Sequence, residues 1–321
     1  MRETYQNVEK ILYVIIAVIG VPVNLLAIGI LSRGKCGLSD CTTRYLVSMA
    51  VSDLLVIVTE VILSRIKSYY FPLSFIHITP VCSGIYLLSR ATADCSVWFT
   101  VTFTFDRFIA ICCHKLKTKY CTGKNAAVVL TTTGILFCLK NIPYSFTLEP
   151  TMVINNVPWF CRLKRSLQNE SWWSAFDWLD KILTPFLPFA AILLVNTLTV
   201  RHILVASRVR KKLKSQNNGA KRSDPEMESR RKSVTLLLSL SGSFLFLWLT
   251  NVLYFIYYLV AGIERNASVF IFAKVGILLR IFSCCTNAFI YTATQSKFRA
   301  QITTALMYPI ISVYRFINKT P

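Results

Sequence analysis

Asp106 and Arg107 stand side by side in the stretch TFTFDRFIAICC, residues 102–113, which is otherwise almost wholly apolar. In water such a pair means little. In apolar surroundings a carboxylate beside a guanidinium forms a strong, charge-assisted pair that can hold or release a conformation. A second acid, Asp53, lies within LVSMAVSDLL. An ionised carboxylate in such a run needs hydrogen-bond donors, a cation or a proton. Glu60, Arg90, Asp94 and Arg280 are likewise embedded among apolar residues. Catalytic chemistry is poorly served: the three histidines, His77, His114 and His202, are scattered and suggest no metal or general-base cluster. The types and spacing point to ion pairing, ion binding and ligand recognition, not to an enzyme.

The elements that must position these groups are long. Of the 321 residues, 54% are hydrophobic and only 16% charged, against about 25% charged in ordinary soluble domains. The apolar residues form seven runs, near 11–32, 43–65, 80–112, 126–148, 176–206, 233–261 and 269–293. Each is long enough to cross a bilayer as a helix. The ten-residue alternation of barrel strands is missing. The expected fold is all-α: a seven-transmembrane helix bundle over 11–293, preceded by an extracellular N-terminus (1–10). A cytoplasmic surface helix and tail follow (294–321). No signal-peptide layout precedes the first run, so that helix is expected to be its own insertion signal. Phe298, Ile302, Ala305 and Leu306 recur at helical spacing opposite Lys297 and Arg299. They predict a short amphipathic helix on the inner leaflet, ending at Pro309.

Net charge is +21, but its distribution argues for topology instead of nucleic acid. With the N-terminus outside, the inner segments hold 23 of the 36 Lys and Arg, against five acids. Eleven of these bases lie between Arg201 and Lys232. The positive-inside rule then places the C-terminus in the cytoplasm of a multi-pass plasma-membrane protein, with the basic segments facing anionic lipid. The segment around Asn217–Asp224 is expected to be flexible. Of eleven cysteines, this topology leaves only Cys82 and Cys161 on the outer side, in an oxidising compartment, which allows one disulfide. The sequons at Asn169 and Asn266 fall on outer loops as glycosylation candidates, whereas Asn318 falls inside.

Several motifs recur in a familiar order: GVPVNLL with Asn24, LVSMAVSDLL with Asp53, Cys82 followed twenty-five residues later by Arg107, Pro188, Phe244 with Trp248, and NAFIY with Asn287 and Tyr291. Over nearly its whole length the chain resembles the rhodopsin-like (class A) G-protein-coupled receptors. Within them, SVWFTVTFTFDRFIAIC and NIPYSF look most similar to the orphan receptors of the G-protein-coupled receptor 139 type. The resemblance implies an extracellular ligand, a heterotrimeric G-protein partner and no cofactor beyond a sodium ion acting as allosteric modulator. It implies that Asp106 restrains Arg107 at rest, and that the freed Arg107 engages the G protein and Tyr291, with Asn287, Trp248 and Phe244 in the switch. It places Asn24, Ser96, Ser283 and Asn287 around Asp53 as a sodium pocket. It brings Glu60 close to Arg280 and puts Ser89 where amine receptors carry an aspartate, so the ligand is expected to be a peptide or a polar aromatic molecule. Ligand-pocket candidates are Glu60, Ser89, Arg90, Asp94, Asn251, Tyr254 and Arg280. Lys181 is not on the seventh helix, which argues against an opsin.

The chain departs from the family pattern at Phe108 in place of tyrosine, at Thr250 and Ala288 in place of prolines, and in lacking a tryptophan on helix 4. The alternatives are a transporter or channel, which would need repeats or a continuous polar lane, and a receptor that binds ligand but signals weakly.

Overall fold

The computed structural model describes residues 2–216, 225–261 and 267–317. Seven helices are long and apolar enough to cross a membrane. They are α1 (Arg2–Ser32), α2 (Asp40–Tyr70), α3 (Thr79–Cys112), α4 (Gly123–Ser145), α5 (171–216), α6 (Pro225–Ala261) and α7 (Ala267–Thr294). An eighth, α8 (Ser296–Ile317), follows at once. Local chemistry sets several boundaries. Gly34 and Gly37, both at φ +68°, make the turn after α1, a conformation open to glycine without a Cβ penalty. Ser39 caps α2 by accepting from the Thr42 amide at 3.2 Å, and Thr122 caps α4 by accepting from Asn125 at 3.3 Å.

Two helices are irregular where they approach the same end of the bundle. From Ile57 to Ile66, α2 is wound as a π-helix, and the Ser64 hydroxyl donates to the Thr59 carbonyl five residues back, at 2.8 Å. Such windings gather at functional sites. In α5, Thr184 has extended backbone (φ −153°, ψ 106°) and kinks the helix between Ser171–Lys181 and Leu187–Gln216. By contrast α6 runs unbroken past Thr250, and α7 past Ala288. Gly276 lets α7 approach α6 closely: a Cβ there would stand 3.2 Å from the Asn251 Cα.

Helix α3 packs against α2, α4, α5 and α6. Apolar layers stack along it. Tyr45, Leu46, Met49, Phe103, Leu236, Tyr291 and Phe298 form one layer at the Arg107 end. Val97, Ile192, Phe244, Leu247 and Trp248 form another in the middle. Phe246 and Val260, 74% and 84% exposed, are turned outward, as a helix bathed in lipid requires.

The structure adds three things to the expected architecture. The loop after α4 is not irregular: β2 (Met152–Ile154) and β3 (Val157–Trp159) form a hairpin inside a second pair, β1 (Leu148–Glu149) with β4 (Arg162–Leu163). Asn155 and Asn156, at φ 49° and 60°, make its two-residue turn. Cys161 beside β4 is bonded to Cys82 of α3, so the expected disulfide is present. Next to it, burial and the nearby Lys67 hold the His77 imidazole below its ordinary pKa. Second, α1 is already helical at Arg2. Third, α8 does not end at Pro309 but continues to Ile317. A proline removes one amide donor and bends a helix, but the turns on either side keep their own bonds. The flexible segment expected around Asn217–Asp224, and Asn266 and Asn318, lie outside the described residues.

Candidate functional site

Three polar layers lie along the bundle. The first is a cavity of about 610 Å³ at the disulfide end, lined by residues of α2, α3, α5, α6 and α7. Six of the expected residues meet there: Glu60, Ser89, Arg90, Asp94, Asn251 and Arg280. Arg280 of α7 pairs with Glu60 of the π-wound stretch of α2, and its guanidinium carbon lies 5.9 Å from the Trp248 ring centroid. Tyr254, one turn beyond Asn251 on α6, does not line the cavity; that helix contributes only Trp248 and Asn251.

Asp180 and Lys140 also belong to this layer, although their positions in the sequence did not single them out. Asp180 of α5 takes ion pairs from both Arg90 and Lys140. Lys140 of α4 also reaches Asp94 at 2.7 Å, and the Asn141 amide donates to the same carboxylate at 2.6 Å. Arg90 additionally donates to the Tyr144 hydroxyl at 2.8 Å and stacks over that ring at 4.4 Å. Two acids and two bases, from three helices, therefore neutralise one another away from bulk water, where pairing decides whether burial is tolerated. The available signal was that α4 carries a lysine and α5 an aspartate inside apolar runs, each needing a partner.

The second layer centres on Asp53, 2% exposed. Ser96 donates to its Oδ1 at 2.5 Å and Asn287 to its Oδ2 at 2.7 Å. The small void beside it, about 10 Å³, is lined by Ser96, Thr100, Ser283, Thr286 and Asn287 among others. Each carboxylate oxygen keeps lone-pair capacity, and the wall is rich in oxygen, so the residues fit a small hard cation. Two members of the expected set direct their hydrogen bonds elsewhere than to Asp53. The Asn24 amide donates to the Gly20 and Cys284 carbonyls, both at 2.9 Å, and so ties α1 to α7. Ser283 lines the void but donates to the Arg280 carbonyl at 2.6 Å and accepts from Trp248 Nε1 at 3.3 Å. Trp248, stacked on Phe244 at 4.9 Å, thus stands between the first layer and the second.

The third layer is the Asp106–Arg107 pair. Arg107 Nε donates to Asp106 Oδ2 at 3.0 Å, Nη2 makes a second contact, and both side chains are 8% exposed. The remaining partners of Asp106 are thiols. Cys41 of α2 donates to Oδ1 at 3.2 Å, and Cys121, just before α4, to the backbone carbonyl at 3.6 Å. Burial first, then Asp106, push the Cys121 thiol up to about 11. Phe108 leans on Phe105 at 6.5 Å and brings no hydroxyl. Arg107 lines a cavity of about 430 Å³ together with Lys117, Arg230 and Lys297. Tyr291 is fully buried, its ring edge-on to Phe298 at 5.7 Å and its hydroxyl unpartnered. Asn169 ends a short 3₁₀ turn, Arg165–Asn169. Among the described residues no group of three or more His, Cys, Asp or Glu is placed to hold a metal ion.

Residues 23–291 match the family described as 7 transmembrane receptor (rhodopsin family). The chain is similar to the thyrotropin-releasing hormone receptor of Mus musculus, 31% identical over 128 residues, 39% of this chain and 31% of that protein. The human thyrotropin-releasing hormone receptor is 30% identical over the same shares. The FMRFamide receptor of Drosophila melanogaster is 26% identical over 214 residues, 62% of this chain and 38% of that protein. The matched segments thus span about a third of each relative.

Proposed function

Because this chain belongs to the rhodopsin family of seven-transmembrane receptors, we propose that it is a peptide-activated receptor that drives nucleotide exchange on a heterotrimeric G protein. The observation that carries this reading is the stack of layers: a ligand-sized cavity floored by Trp248, the Asp53 centre beneath, and the Asp106–Arg107 pair opening onto a basic cavity at the far end. The proposed orientation puts the disulfide end outside and the Arg107 end in the cytoplasm of the plasma membrane, where the excess of Lys and Arg meets anionic lipid. A peptide ligand is favoured by the relatives, which are named as receptors for thyrotropin-releasing hormone and FMRFamide. The cavity volume also lies within the range of small-ligand sites. The narrower likeness to orphan receptors of the G-protein-coupled receptor 139 type rests on the helix-3 segment and NIPYSF alone.

In this mechanism a ligand bearing on Arg280 and Trp248 favours a different packing of α6. Ser283 and Asn287 carry the change to Asp53, and α6 movement frees Arg107 from Asp106 to meet the G protein. A sodium ion held by Asp53 with Ser96, Ser283 and Asn287 would supply positive charge that favours the resting packing. The test is exchange on purified G protein by the reconstituted receptor, with and without peptide. Peptide-dependent exchange that disappears in Arg107→Ala supports the reading; peptide binding with no exchange overturns it.

A further inference from the structure

The three acids that line the large cavity are all engaged in ion pairs, but one of its bases is not. Glu60 is matched by Arg280, while Asp94 and Asp180 are matched by Lys140 and Arg90. Arg65 is left over. It lines the same cavity from the π-wound stretch of α2, and no carboxylate lies within ion-pairing distance of it among the described residues. Its guanidinium carbon rests 5.7 Å from the centroid of the Tyr13 ring, a contact that orients the group without neutralising it. The two hydroxyls beside it on this wall are already committed. Ser64 donates to the Thr59 carbonyl at 2.8 Å and Ser68 to the Ser64 carbonyl at 2.6 Å. The wall therefore offers an incoming group one planar fork of N–H donors carrying a full positive charge. A guanidinium fork matches a carboxylate in a bidentate manner, and a neutral carboxamide far less well.

We propose that Arg65 docks a free carboxylate of the ligand, and that the cavity selects short peptides ending in a C-terminal acid over the same peptides ending in an amide. The carboxylate gives Arg65 the ion-pair partner that the cavity's own acids, engaged with Arg90, Lys140 and Arg280, do not supply. The remainder of the peptide lies against Tyr86 and Trp248, which supply aromatic surface in the same cavity. This rests on the reading of the cavity as the ligand site, and adds to it the chemical group that the ligand must carry.

The experiment uses the full chain in lipid nanodiscs and pooled synthetic tripeptides lacking Asp and Glu, made both as free acids and as C-terminal amides. Thermal unfolding identifies the stabilising pools, and titration gives dissociation constants for matched acid and amide. The expected result is at least tenfold tighter binding of the acid to wild type. That ratio should fall to near one in Arg65→Gln and stay intermediate in Arg65→Lys, which keeps the charge but not the fork. Equal binding of acid and amide, an acid preference that survives Arg65→Gln, or no stabilisation by any acid pool overturns the proposal. Arg65 has no ion pair to lose, so Arg65→Gln should unfold near the wild-type temperature. If it does not fold, the ratio in Arg65→Lys decides, and an undiminished ratio there counts against the fork. Nucleotide exchange is read separately. Amides that activate as well as acids sink this inference but leave the receptor reading intact; acids that bind through Arg65 without exchange do the reverse.

Discussion

Replacing Asp106 by asparagine tests the lock at its centre. In the resting structure Arg107 makes two contacts to one carboxylate oxygen, and the pair is nearly sealed from solvent. Asparagine keeps the shape and one acceptor but removes the charge. A hydrogen bond to a charged group is worth about 1.5–3 kcal/mol. The resting state therefore loses about that much relative to a state in which Arg107 is already free, while the freed state loses little. At about 1.4 kcal/mol per tenfold, the resting-to-active ratio falls by roughly 10- to 150-fold. A receptor that is active about 1% of the time without ligand would rise to roughly 10–60%. Cys41 and Cys121 cannot make up the difference, because both thiols donate to residue 106 and offer the Arg107 donors no anionic acceptor. Arg107→Ala should act in the opposite sense, lowering agonist-stimulated exchange and leaving the distant cavity intact. The assay is basal and peptide-stimulated exchange for wild type and both variants at matched surface expression. Unchanged basal exchange in Asp106→Asn, or normal coupling by Arg107→Ala, would refute the argument and reduce the pair to a structural ion pair at the membrane edge.

Other consequences are as direct. Cys82→Ala and Cys161→Ala should each impair surface expression, and the double variant should be no worse than either; additive losses measured by surface labelling would count against a shared bond. Raising sodium should weaken peptide affinity in wild type but not in Asp53→Asn, and a sodium effect that persists in the variant rules out the ion assignment. Lys140→Ala leaves Asp94 without a charged partner and Asp180 with only Arg90, so the unfolding temperature in nanodiscs should drop by several degrees, whereas Lys140→Arg should recover most of it. Maleimide should label Cys121 about a hundredfold more slowly than a free thiol at pH 8, because its pKa of about 11 leaves less thiolate than the ordinary 9.0; equal rates would show the thiol is not held by burial and Asp106. His77 is depressed, so its folded form prefers the neutral ring. The stability this contributes is present above the ordinary value of about 6.5 and is lost as pH falls through the folded value. Proteolysis of the hairpin should therefore quicken on acidification in wild type and less so in His77→Phe.

The helices were legible because bilayer length and apolar composition leave few alternatives, and Asp53, Asp106 and Arg107 stood out against that background. Their partners were less so. The sequence places Lys140 and Asp180 forty residues apart, and only the packing of α4 and α5 on α3 reveals that both face Asp94 and Arg90. Asn24 shows the converse: its position near Asp53 was expected, but the Gly20 and Cys284 carbonyls take up its amide. The hairpin had a readable signal that was passed over, Asn155-Asn156 between Met-Val-Ile and Val-Pro-Trp, the kind of dipeptide that tolerates positive φ at a two-residue turn. The run to Ile317 was hidden by taking Pro309 as a stop, although a proline costs a helix one bond, not its continuation.

The winding of α2 between Ile57 and Ile66 has a consequence for how this chain is compared with others. A π-turn spends an additional residue on each turn relative to an α-helix, so every side chain beyond it is rotated from where α-helical counting would put it. Glu60, Ser64, Arg65 and Ser68 reach the cavity together on that altered count. A relative with an α-helical segment here would present different positions to its own cavity even at identical sequence offsets from Asp53. An ungapped alignment through this stretch would therefore equate residues that face different neighbours. Removing a single residue between Glu60 and Arg65 should act as a register change: it would turn Arg65 by roughly 100° about the helix axis while leaving Asp53 and its partners in place.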